Sequence, residues 1–98
     1  MFSGGDYHEV ARWLENFATS HAKREDLRAE CLLDTGGPRE GMSYGLRVRV
    51  AGRLSSEIEL PFADVAASRG TMAWCRSLAD RVRSLVSEAT RDSSLRPA

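Results

Sequence analysis

Residues 44–62, YGLRVRVAGRLSSEIELPF, alternate apolar and polar side chains in two arms around a glycine-bearing turn. In the first arm Tyr44, Leu46, Val48 and Val50 take one side, and Gly45, Arg47, Arg49 and Ala51 the other. In the second, Leu54, Ser56, Ile58, Leu60 and Phe62 share a side, and Ser55, Glu57, Glu59 and Pro61 the opposite one. A period of two marks a strand with one buried face, so the stretch is expected to be a β-hairpin. Ala51-Gly52-Arg53 is its natural turn, because Gly52 can take a positive φ. A three-residue turn sets Val50 opposite Leu54, Leu46 opposite Ile58 and Arg47 opposite Glu57, a favourable cross-strand pair. A two-residue turn would set Leu54 against Arg49 and mix the faces. The three-residue register is therefore expected, with an apolar hairpin face that the remaining chain must cover.

The cover comes from both flanks. Asp6, with Glu9 three residues on, has the spacing of a capping box. From there Tyr7, Val10, Leu14, Phe17 and His21 fall on one helical stripe, flanked by Trp13 and Ala18. Continuing this helix would bring Arg24 onto the stripe, so the helix is expected to end near Ala22. Leu27, Ala29, Cys31 and Leu33 alternate with Arg28, Glu30, Leu32 and Asp34, which predicts a third strand. Residues 35–43, TGGPREGMS, read as a long flexible loop without regular structure. Pro61 closes the last strand, and FADVAAS (residues 62–68) has room for a short helical turn. A second stripe of Cys75, Leu78, Val82, Leu85, Val86 and Ala89 predicts a helix from Thr71, as N-cap, to about Thr90. Its wet face would carry Arg76, Asp80, Ser84, Ser87 and Glu88.

The expected class is α+β: a two-layer α-β-β-β-α domain, with a three-stranded antiparallel meander and both helices on one face. The chain's 98 residues suffice for one domain. Order is expected over about 6–90, with flexible tails at 1–5 and 91–98. The open sheet face would carry Arg28, Glu30, Arg47, Arg49, Glu57 and Glu59, a mixed-sign surface suited to water.

With 14 basic and 14 acidic residues the formal charge is zero, which gives no bulk electrostatic case for nucleic acid or an anionic membrane. No apolar run is long enough to span a bilayer, and the first ten residues lack the features of a signal peptide. A cytoplasmic location is the expectation. Lys23 is the single lysine among the 14 basic residues, a bias associated with GC-rich bacterial genomes.

No catalytic constellation emerges. Cys31 and Cys75 are expected to be buried, reduced thiols. His21 is expected to cap helix carbonyls. A Cys–His nucleophile pair would lack a glycine elbow and an oxyanion loop. With His8 and His21 as the two histidines, no zinc spacing results. The glycine loop joins strand to strand and lacks the helix N-terminus of a phosphate cradle. No enzyme activity, metal or cofactor is expected. Trp13 and Trp74 lie at the margins of their stripes, and Leu32 and Met72 face outward. These four form the candidate interaction surface, since marginal aromatics anchor interfaces. The expected function is a non-catalytic protein–protein interaction module or homodimer.

The stretch GPREGMSYGLRVRVAG, residues 37–52, resembles the second loop and strand of the double-stranded-RNA-binding domain, with Gly37, Pro38, Tyr44, Val48, Val50 and Gly52 as matches. The α-β-β-β-α order is similar to that family's. The resemblance implies the same fold and, as the alternative function, a duplex-RNA-binding module. The family's basic residues do not carry over. Glu40 stands where the family has a loop histidine, and Pro61 to Ser68, at the family's lysine cluster, hold Asp64 and no base. Phosphate contacts supply much of the affinity of such modules, so nucleic acid is not the expected partner.

Overall fold

The computed structural model describes the backbone from Asp6 to Ser94 and side chains from Asp6 to Arg91; the expectations for residues 1–5 and 95–98 lie outside the described residues. The elements run α1 (Tyr7–Glu25), β1 (Ala29–Asp34), a 3₁₀ turn (Gly37–Arg39), β2 (Ser43–Val50), β3 (Arg53–Leu54), β4 (Ile58–Pro61), α2 (Phe62–Ser68) and α3 (Met72–Ser94). The class is α+β, as the alternation and the two stripes predict. β2 is the centre of an antiparallel sheet, with β1 on one side and β3 and β4 in succession on the other.

The hairpin corrects the expected register at its tip. Val50 pairs with Arg53 and Arg49 with Leu54, so the turn has two residues, Ala51 and Gly52. Both have positive φ, 52° and 84°, the backbone of a type I′ turn, whose twist suits a hairpin. Further on, Leu46 pairs with Ile58 and Tyr44 with Leu60, as the three-residue turn would have it. The partner strand therefore holds one extra residue, a bulge at Ser55–Glu57 that restores the facing. Only the two rungs next to the turn mix faces, and Leu54 is left 47% exposed.

At the bulge, side chains take over ladder bonds. The buried Ser55 stands in for a backbone carbonyl: its Oγ accepts from the Val48 N–H at 2.9 Å and donates to the Ser56 carbonyl at 2.8 Å. The Ser55 N–H donates to the Val48 carbonyl. Glu88, expected on the wet face of α3, instead is half-buried and reaches the sheet, its Oε1 accepting from the Ser56 N–H and hydroxyl. Those bonds hold the Glu88 carboxyl below its usual range.

Tyr44, Leu46, Val48 and Val50 are all buried under the helices. α1 contributes Val10, Ala11, Leu14, Ala18 and Ala22, and α3 contributes Leu78, Val82, Leu85, Val86 and Ala89. Asp6 caps α1, accepting from the Glu9 N–H at 2.7 Å. The helix continues past its expected end to Glu25, and α3 past its own to Ser94. Strand β1 starts later than expected, leaving Leu27 84% exposed. Cys31 and Cys75 are free thiols, half-buried and not fully enclosed.

The 35–43 segment is tied down. It contains the 3₁₀ turn, and the Tyr7 hydroxyl lies 2.5 Å from the Ser43 carbonyl and 3.2 Å from that of Arg39. The Tyr7 ring stacks on Tyr44 at 4.6 Å, and the Tyr44 hydroxyl donates to the Tyr7 carbonyl. On the open sheet face Arg39 pairs with Asp34, Glu57 and Glu59. Its guanidinium lies over Gly45, where a Cβ would stand 2.6 Å from Cζ. Arg39 therefore takes the position beside Glu57 that register had assigned to Arg47, while Arg49 pairs with Glu30.

Candidate functional site

The four residues singled out for an interaction surface do not all meet. Leu32 lies on the open sheet face opposite Arg47, away from the helices. Trp13 and Trp74 do come together, with ring centroids 6.3 Å apart at the seam of α1 and α3. Trp13 stacks on Phe17 at 5.0 Å, and Phe17 meets His21 at 4.4 Å. These three lie four residues apart along α1, which puts them in one row on one helix face. The row is half-buried throughout. Its inner edge rests on the core, and its outer edge faces solvent.

The row opens into a groove between the C-terminal half of α1 and the N-terminal half of α3. Its cavity volume is about 350 Å³, at the small end of ligand pockets. Phe17, His21, Cys75, Ala79 and Met72 supply its apolar lining, and Met72 is 74% exposed. Arg24 and Glu25 stand on one rim, and Arg76, Asp80 and Arg83 on the other. Asp80 and Arg83 pair with each other. Arg24, Arg76 and Glu25 form no ion pair among the described residues.

Phe17 and His21 were both expected on the buried stripe of α1, His21 as a carbonyl cap in the last turn; the structure leaves both half-buried at its margin. α1 buries Ala11, Ala18 and Ala22 instead, so the helix is rotated about its axis relative to the expected stripe. The signal was Arg24. It continues the row from Phe17 and His21 by helical spacing, and an arginine there means that the row passes into solvent, not that the helix stops.

Electrostatics in the groove are set by its arginines. Burial, with the charges of Arg24 and Arg83, holds the His21 imidazole below its usual pKa. His21 and Cys75 share this groove, but no hydrogen bond joins them. The Cys75 thiol donates to the Arg69 carbonyl at 3.2 Å, so its proton is directed away from a base. Cys31 sits elsewhere, on β1, and burial pushes its thiol pKa up. Among the described residues no cluster of three or more metal-binding side chains occurs, and no helix is long and apolar enough to cross a membrane.

The open sheet face is the other charged surface. Arg39, the one basic residue of the 35–43 segment, is held there by three carboxylates. A phosphate would have to compete with those carboxylates for its guanidinium. Compared with protein-family models, with curated proteins and with solved structures, the chain matches none.

Proposed function

We propose that this protein is a non-catalytic interaction module that binds a protein partner through the aromatic seam of α1 and α3. One observation carries the reading. Trp13, Phe17, His21 and Trp74 form a continuous half-exposed ring row that opens onto a groove beside the exposed Met72. Large rings kept half in solvent leave apolar area uncovered, and Trp residues of this kind anchor interfaces. Met72 adds a flexible side chain that can adapt to a partner's shape. A bacterial, cytoplasmic setting belongs to this reading, and two free thiols suit a reducing compartment.

The test is site-specific photo-cross-linking in cells, with the cross-linker at position 72 and, as control, at the exposed Glu40. A discrete protein adduct or a dimer adduct from position 72, absent from position 40, is the expected result. The same smear from both positions, or no adduct from position 72, overturns the reading.

A further inference from the structure

Resting on the reading of the seam as an interaction surface, we propose that its groove receives an amphipathic helix of another protein, with Asp or Glu flanking its apolar stripe. The dimensions favour a helix. Along α3 the lining runs from Met72 to Arg83, and eleven helical steps span roughly 16 Å, or about three turns. A channel between two neighbouring helices is the place where a third packs ridges into grooves. A partner helix would present residues spaced i, i+3 or i+4, and i+7 to Phe17, Cys75 and Met72.

Charge selects the sign of the partner. Asp80 and Arg83 neutralise each other, which leaves Arg24 and Arg76 against Glu25. The groove therefore carries a net positive charge. His21 lies within this charge: burial first, then Arg24 and Arg83, hold its imidazole below its usual pKa. Charge also argues against a second copy of this chain. A two-fold contact sets the same patch against itself, so two grooves of the same net positive charge would be brought together. The open sheet face around Glu57 and Glu59 is of mixed sign, with Arg39 paired to both and Arg49 to Glu30, so a second copy offers the groove no acidic counterpart there. A groove-to-sheet contact between copies is heterologous and would not close into a dimer.

Three synthetic helical peptides of about 14 residues, long enough to cover the groove, make the probes. One has a Leu/Phe stripe flanked by Glu, one the same stripe flanked by Lys, and one Glu flanks with Ala in place of the stripe. Binding is read by tryptophan fluorescence and by NMR of the His21 imidazole. The Glu-flanked stripe is expected to bind at least about tenfold tighter than either other peptide, an advantage that salt reduces. Its carboxylates should raise the pKa of His21. In the variant Arg24→Glu/Arg76→Glu, changed at two exposed positions, preference should pass to the Lys-flanked peptide. Equal binding of the Glu and Lys peptides, an unchanged preference in the double variant, or no binding of the Glu peptide would overturn the proposal. So would a dimer in light scattering that Met72→Glu dissociates, since that assigns the groove to a second copy. Any of these outcomes with a specific adduct from position 72 refutes the acidic helix alone; with no such adduct, the interaction reading fails too.

Discussion

Replacing Ser55 by alanine tests the bulge that reconciles the two registers of the hairpin. The Ser55 Oγ is the acceptor for the Val48 N–H, at 2.9 Å, in the middle of the central strand. Val48 itself is fully buried. Alanine removes one oxygen and little volume, so the cavity contribution is small. The main effect is a buried amide without a partner, which costs about 1–3 kcal/mol. The bond from Ser55 to the Ser56 carbonyl is lost as well, but that group is near solvent and can turn to water. A central value of about 2 kcal/mol is a large share of the ~5–15 kcal/mol that stabilises an ordinary domain. At about 4–8 °C per kcal/mol for a domain near this size, the melting temperature should fall by roughly 8–16 °C. The assay is urea and thermal unfolding followed by circular dichroism, with the urea m-value unchanged. Native-state hydrogen exchange should show the Val48 amide losing protection. Ser56→Ala is the control for position, since it removes one hydroxyl bond to Glu88 and leaves the Ser56 N–H bond in place. A loss under about 0.5 kcal/mol in Ser55→Ala, within the range of ordinary surface changes, together with a still-protected Val48 amide, would refute the account of the bulge.

Ala51→Gly should stabilise the fold by about 0.5–1 kcal/mol, because an alanine at positive φ costs roughly 1–2 kcal/mol and glycine's extra freedom when unfolded returns part of it; destabilisation in urea would mean that the turn is not of this type. Glu88→Ala should lower the melting temperature at pH 7. Its carboxyl is held below the usual range in the folded state, so that contribution is present above about pH 4.5 and lost as pH falls through the folded pKa; a deficit that persists unchanged at pH 2 would count against it. Tyr7→Phe should release the 35–43 segment, seen as faster exchange of the Met42 and Phe62 amides, which donate to the Arg39 and Met42 carbonyls; unchanged exchange would show that Tyr7 does not pin it. Duplex RNA should bind at most feebly, since the Arg39 charge is taken up by three carboxylates. Micromolar affinity at about 50 mM salt that collapses by about 200 mM would establish a phosphate binder instead.

Alternation and helical stripes determined which elements form and which faces are apolar, because side-chain direction follows from local geometry, with periods of 2.0 and 3.6 residues. Val48 and Leu46 in the core, Asp6 as the cap of α1 and the break before α3 were all legible in this way. The turn was not. Ala51 carries no turn signal, and the two-residue tip depends on a bulge satisfied by Ser55 from its own strand and by Glu88 from α3, thirty-two residues from Ser56. Nor could local periodicity fix how far α1 is rotated. Ala18 and Phe17 are both apolar, and which of them enters the core depends on how closely α1 approaches the sheet and α3. The small alanines went inside, where helix and sheet pack together, and the rings of Phe17 and His21 were left at the margin. Leu32, outward by alternation, was correctly read as such, but its distance from Trp13 is a property of the sheet's two faces. What the sequence determined is local and periodic. What tertiary structure decided is which of two acceptable helix faces was buried, and thereby where the groove lies.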